Sequence, residues 1–319
     1  MLILLFFSLF KKLSQAIHIY DASTGTKSTT IQRDAPVLDA TFQDDASTIY
    51  SGGLDHAVVH TDVTTLQSTT LGTHDAAVKC VEWIPSLRLV ASAGWDSTLR
   101  LFDPRTPPNP TPSPLPPIPL PGKAFSMSQS QDRLVVATSG RRVHIYELSS
   151  LTRPTPAPEQ DRESSLKYQT RCVRCYPDNQ GYAISSIEGR VGMDYFDLSD
   201  QVQSKKYAFK CHRRQEEGKD VIYPVNALAF NTKYGTFATG GCDGVISMWD
   251  GQHKKRLAQV TGYPTSIAAL AFNFNDHAPV LAVAASYTYE RGEMEPRPAD
   301  AVYIRPVADA EIQPRLKGK

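Results

Sequence analysis

An excess of charge of one sign is missing from this chain: 34 lysines and arginines stand against 33 aspartates and glutamates in 319 residues. A balanced surface gives no overall attraction for nucleic acid or for an acidic membrane, so neither is expected as a direct partner. Cysteine is scarce. The five, at 80, 172, 175, 211 and 242, form no paired framework, and an odd number on expected strands suits a reducing compartment. A long apolar run is absent too. The start, MLILLFFSLFKK, is too short to span a bilayer, which takes about 20 residues. Its charges follow the apolar stretch and no small-residue cleavage site comes after it, so it does not read as a secretion signal. Residues 1–16 are therefore expected to lie outside the main pattern, as an atypical start.

What is present is repetition. Residues 224–250, PVNALAFNTKYGTFATGGCDGVISMWD, hold three short apolar runs joined by tight turns, the pattern of an antiparallel meander. One small sheet leaves an apolar face exposed, so the unit needs copies to pack against. The copies end in an aromatic or apolar residue followed by an acid: Tyr20-Asp21, Thr61-Asp62, Phe102-Asp103, Tyr146-Glu147, Phe196-Asp197 and Trp249-Asp250. Successive acids are 41, 41, 44, 50 and 53 residues apart. A period in the low forties with a terminal Trp-Asp pair is the signature of WD repeats, each one four-stranded propeller blade. A last meander over 267–272, 280–285 and 301–307 makes a seventh unit. The expected fold is all-β, a single seven-bladed propeller over 17–315, with a basic tail at 316–319. Too few residues precede Tyr20-Asp21 to supply two further strands, so the first blade is expected to be incomplete.

Two segments interrupt the pattern. Residues 104–121 contain ten prolines and must run extended, as a surface connector or a ligand for a proline-reading domain. The third blade's outermost strand is expected to be poor as a result. Residues 149–165 read as a polar connector.

Candidate chemistry is sparse. His74, Ser92 and Asp96 sit at the spacing WD repeats use for a buried hydrogen-bonded line that braces the blade, and Asp55 and Asp243 occupy the same turn in other repeats. The same residue types invite a hydrolase reading, but no strand-to-helix nucleophile elbow is present. Cys172-Val-Arg-Cys175 would need a second pair to hold zinc, and Cys211-His212 is the nearest candidate. On a strand, residues three apart point to opposite faces. No metal, no cofactor and no catalytic residue is expected.

Further segments carry a specific resemblance. RESSLKYQTRC (162–172), GYAISSIEGRV (181–191), KKYAFKCHR (205–213), YPVNALAF (223–230), SGRRV (139–143) and the tail VADAEIQP (307–314) resemble the spindle-checkpoint family of WD-repeat proteins, the third member of the "budding uninhibited by benzimidazole" group. A sister family, the messenger-RNA-export and nuclear-pore WD-repeat proteins, shares the EGR and FKCHR segments. The resemblance covers residue 17 to the end and departs from the family at the N-terminus and the proline-rich insert. It implies a non-catalytic adaptor in the nucleus and, in mitosis, at the kinetochore. The implied partners are the mitotic checkpoint kinase and its kinase-like relative, a kinetochore scaffold phosphorylated on Met-Glu-Leu-Thr repeats, and the anaphase-promoting complex through the mitotic checkpoint complex. The sister family implies a nucleoporin segment instead.

By resemblance Arg190 pairs with a partner's glutamate, Arg213 takes the phosphothreonine, Arg256 adds a carboxylate contact, and Phe209 and Trp249 are apolar anchors. A planar guanidinium suits both anions. By position alone, each arginine is a solvated surface charge and the two aromatics pack between blades.

Overall fold

The computed structural model describes residues 2–5 (backbone only), 15–106, 115–273, 278–290 and 292–315. Nearly all regular structure is β, as the alternation requires. The two α-helical turns are single, Asp200–Gln203 and Asp309–Ile312. No helix among the described residues is long and apolar enough to cross a membrane.

Five sheets are four-stranded antiparallel meanders. The second blade is Val37–Phe42, Thr48–Gly53, Ala57–Asp62 and Ser68–Thr73. The third is Val78–Ile84, Leu89–Gly94, Thr98–Phe102 and the two-residue Ile118–Pro119. The fourth is Ala124–Gln129, Arg133–Thr138, Arg142–Glu147 and Gln160–Glu163. The fifth is Thr170–Cys175, Gly181–Ser186, Arg190–Tyr195 and Tyr207–Lys210. The sixth is Val225–Phe230, Phe237–Gly241, Ile246–Asp250 and Lys255–Val260. The last blade has three strands, Ile267–Phe272, Val280–Ala285 and Ala301–Pro306.

The first strands of these six blades lie side by side in chain order, so that each blade packs on the next around an axis. Their apolar faces make the core between blades. Ile267 and Leu270 of the last blade, for example, share a cluster with Ala227, Ala238 and Ile246 of the sixth. Each of the six inner strands carries the same irregularity, a register shift at its second residue: Leu38, Lys79, Phe125, Arg171, Asn226 and Ala268. A shift of this kind bends the strand and sharpens its twist, which suits strands converging on an axis.

The expectation of seven blades is corrected to six. The N-terminal unit is a three-stranded sheet, Leu2–Leu5, Ala16–Asp21 and Lys27–Gln32, and among the described residues it has no strand in the inner ring. It still bridges its neighbours. Ile17, Ile19 and Ile31 pack on Val37 and Ile49 of the second blade, and Ala22 packs on Ala282 and Ala284 of the last. Residues 2–5, assigned above to a segment outside the pattern, pair antiparallel with Ala16–Asp21, from Leu2 opposite Asp21 to Leu5 opposite His18. An apolar strand completes an edge whose backbone groups would otherwise lack partners.

Two further differences concern polar strands. Gln160–Glu163, inside the expected connector, is the outer strand of the fourth blade, paired from Arg142 opposite Glu163 to Ile145 opposite Gln160. Residues 213–222 fold as a separate hairpin, Arg213–Glu216 against Lys219–Ile222, between the fifth and sixth blades. The poor outer strand expected for the third blade is the short Ile118–Pro119. The rest of the proline-rich stretch, 107–114, and the tail 316–319 fall outside the described residues.

Candidate partner-binding face

The turns between second and third strands lie at one end of the strands, and in three blades the turn is held by a bracing network. In the third blade His74 Nδ1 is 2.9 Å from Asp96 Oδ2 and Nε2 is 2.7 Å from Ser92 Oγ. Burial lowers the imidazole pKa against the pull of Asp96. A neutral ring that donates from Nδ1 to the carboxylate and accepts the Ser92 hydroxyl satisfies every group. Burial works to raise the Asp96 carboxyl. The bonds from His74, the Asp75 backbone and Thr98 nonetheless hold it below its ordinary value. His74 and Ser92 are buried, at 4% and 0% exposed, so no substrate reaches the serine. The same three residue types that suggest a hydrolase are here a sealed strut.

The sixth blade has the same strut, in which the expected Asp243 is joined by His212 and Thr239, two residues that sequence reasoning passed over. His212 Nδ1 lies 2.9 Å from Asp243 Oδ1, its Nε2 lies 2.8 Å from Thr239 Oγ1, and the Trp249 indole N–H donates to that hydroxyl at 3.0 Å. In the second blade Arg33 stands in for the histidine, donating to Asp55 and to Ser51, both at 2.5 Å. The fit is tight. A Cβ on Gly94 would sit 2.6 Å from both Asp96 Oδ1 and His74 Nδ1, which is why glycine precedes this turn.

Cys172 and Cys175 fall in different apolar clusters, on opposite faces of their strand. Among the described residues no group of three or more His, Cys, Asp or Glu is placed to hold a metal ion.

Arg190 and Arg213 meet at Glu188. Arg190 opens the third strand of the fifth blade and its Nε lies 3.4 Å from Glu188 Oε2. Arg213, the first residue of the inserted hairpin, donates to the Glu188 carbonyl at 2.9 Å. Among the described residues the buried Nε of each arginine has no hydrogen bond. The Arg190 side chain keeps 34% of its surface exposed. Arg190 thus faces the Glu188 carboxylate while Arg213 is held by the main-chain carbonyl of the same residue, and the two guanidiniums are drawn to one turn. Exposed Arg214, which donates to the Asp243 carbonyl at 2.7 Å, and exposed Arg171 add cations near the same turns.

The other expected residues lie elsewhere. Phe209 and Trp249 pack on each other between blades, with ring centres 4.6 Å apart, and both remain partly exposed. Arg256 is exposed on an outer strand opposite Trp249, at the far end of the sixth blade from its Asp243 turn. It is therefore not brought together with Arg190 and Arg213.

The WD domain, G-beta repeat family matches residues 65–103 and 208–250, the two segments that contain the histidine struts. Over 301 residues the chain is 47% identical to the mitotic checkpoint protein BUB3.1 of Arabidopsis thaliana, covering 94% of this chain and 86% of that protein. The mitotic checkpoint protein bub3 of Dictyostelium discoideum is 40% identical, with 94% and 88% covered. A poly(A)+ RNA export protein of Schizosaccharomyces pombe is 30% identical over 293 residues, with 90% and 79% covered.

Proposed function

The chain belongs to the BUB3 family of mitotic checkpoint WD-repeat proteins, and from that premise we propose that it is a non-catalytic adaptor of the spindle assembly checkpoint. Its arginine-bearing face holds a glutamate-containing segment of the checkpoint kinase or its kinase-like relative, and reads phosphothreonine in the kinetochore scaffold. It acts at the kinetochore in mitosis and reaches the anaphase-promoting complex through the assembly it joins.

The observation that carries this reading is the gathering of Arg190 and Arg213 at Glu188, one on its carboxylate and one on its carbonyl, with the Arg190 side chain still 34% exposed. Arginine donors in such a fork suit a carboxylate or a phosphate better than they suit water. Arg190 is assigned to the glutamate and Arg213 to the phosphate, with Phe209 as apolar support. Trp249 is kept chiefly as a bracing residue, and Arg256 is left outside this site because of its position. The fully buried Ser92 and His74 support a scaffold over a hydrolase.

Binding measured by fluorescence anisotropy tests the assignment. Arg213→Ala should weaken a phosphorylated Met-Glu-Leu-Thr peptide by about 10-fold to 100-fold, the worth of one to two charge-assisted hydrogen bonds, with the unfolding midpoint little changed. Equal loss for the unphosphorylated peptide would remove Arg213 from phosphate recognition. Arg190→Ala should weaken the kinase segment by a similar factor, and unchanged affinity would take it out of the site.

A further inference from the structure

At the end of the strands opposite the arginine face, turns of the fifth and sixth blades enclose a cavity of about 780 Å³. Its wall is aromatic, formed by Tyr176, Tyr195, Tyr207, Phe230 and Tyr234. Tyr176 meets Tyr195 and Phe230 edge to face, with ring centres 5.7 and 5.5 Å apart. It is only 8% exposed, and its hydroxyl has no hydrogen-bond partner among the described residues. A buried hydroxyl without a partner is costly, and native proteins keep few of them. Here the ring that carries it lines a space large enough to admit a side chain.

The charge at the rim narrows the guest. Exposed Lys205 and Lys254 stand there with one exposed acid, Asp178. The Lys254 ammonium lies 4.5 Å from the centre of the Tyr207 ring. The protein's own lysine thus already occupies the cation-binding surface of that wall, and a cationic guest would meet like charge. The neighbouring Lys206 is engaged by Asp194 at 2.8 Å, and the Tyr207 hydroxyl donates to the Gly251 carbonyl at 2.6 Å. An aromatic wall with two exposed lysines at its rim is left to a partner.

We propose that this cavity is a second peptide-docking site, which takes a bulky aromatic or aliphatic side chain of a partner protein that has acidic residues beside it. The rings hold the side chain, and Lys205 and Lys254 attract the acids. The site is independent of the arginine face, since the two lie at opposite ends of the strands.

The test uses the full chain and three labelled peptides: Gly-Ser-Asp-Glu-Phe-Asp-Glu-Gly-Ser, the same peptide with alanine for phenylalanine, and the same with lysine for all four acids. The acidic phenylalanine peptide should saturate below about 1 mM, and the other two should bind at least about tenfold weaker. Substituting Lys205→Glu and Lys254→Glu together should lower its affinity by about tenfold or more, while binding of the glutamate-bearing kinase segment stays unchanged. Absence of binding at about 1 mM, equal affinity for all three peptides, or indifference to the two lysine substitutions would each overturn the proposal.

Discussion

Replacing His212 by alanine probes the strut of the sixth blade directly. The His212 side chain is fully buried and the Asp243 carboxylate is 4% exposed. The substitution removes bonds of 2.9 Å to Asp243 and 2.8 Å to Thr239. Among the described residues the carboxylate then keeps only the Val245 backbone N–H, at 3.2 Å. Breaking a buried pair by deleting one member typically costs about 3–5 kcal/mol, because a desolvated charge is left behind. The surviving N–H places the expected loss at the lower end, about 3 kcal/mol. Thr239 keeps its bond from Trp249, so Trp249→Phe, which removes that single bond, should cost about 1 kcal/mol. His253, paired with the buried Asp250 at 2.6 Å but itself 46% exposed, is the control: its removal opens that carboxylate to water and leaves the His253 backbone N–H on it at 3.0 Å, so its replacement by alanine should cost about 1 kcal/mol. Urea unfolding followed by two optical probes gives all three values, provided the transitions coincide. A loss for His212→Ala no greater than that for His253→Ala would refute the strut as a source of stability.

Other consequences follow from burial. Burial pushes the Glu82 carboxyl up to about 8, against the opposing pull of Arg174. Its folded pKa exceeds its ordinary value, so its contribution to stability is complete below about 4.5 and is lost as pH rises through about 8. Glu82→Gln removes this loss, and the stability of the variant relative to the parent should rise across that window; a flat difference would contradict the burial argument. Burial also raises the thiols of Cys80, Cys211 and Cys242 and pushes Cys175 up to about 12. An alkylating reagent at neutral pH should therefore leave these four unlabelled in the native chain and label them once urea unfolds it. Rapid native labelling of any of them would show that its blade opens.

Burial also decides what the sequence made legible. The strands of the last blade match their expected spans almost residue for residue, because apolar residues must face both neighbouring blades there. The outer strand Gln160–Glu163 and the hairpin Arg213–Ile222 were hidden because exposed strands carry polar residues on both faces and so show no alternation. That hairpin also concealed His212. The strut in the third blade spans 22 residues from His74 to Asp96, whereas the one in the sixth spans 31 from His212 to Asp243. Arg33, by contrast, was open to discovery: it precedes Asp55 by 22 residues and Ser51 by 18, the same offsets that relate His74 to Asp96 and Ser92. Only the residue type disguised it.

At the candidate site, the resemblance singled out Arg190 and Arg213, and the fold brings them together because one opens a third strand and the other follows the adjacent fourth strand. Nothing in the sequence showed that Arg213 would reach back to the Glu188 carbonyl. Arg256 shows the limit of reading charge without direction, since its strand delivers it to the opposite end. The six-blade ring was obscured by the first repeat signal, where Tyr20-Asp21 ends a genuine strand of a sheet that has no strand in the inner ring among the described residues.

The decisive measurement is binding of the chain to a labelled glutamate-bearing segment of the checkpoint kinase, beside the corresponding nucleoporin segment. A checkpoint adaptor should prefer the kinase segment and lose that preference on Arg190→Ala. Preference for the nucleoporin segment, or equal binding of the kinase segment by the parent and Arg190→Ala, would contradict the assignment of this face to the checkpoint.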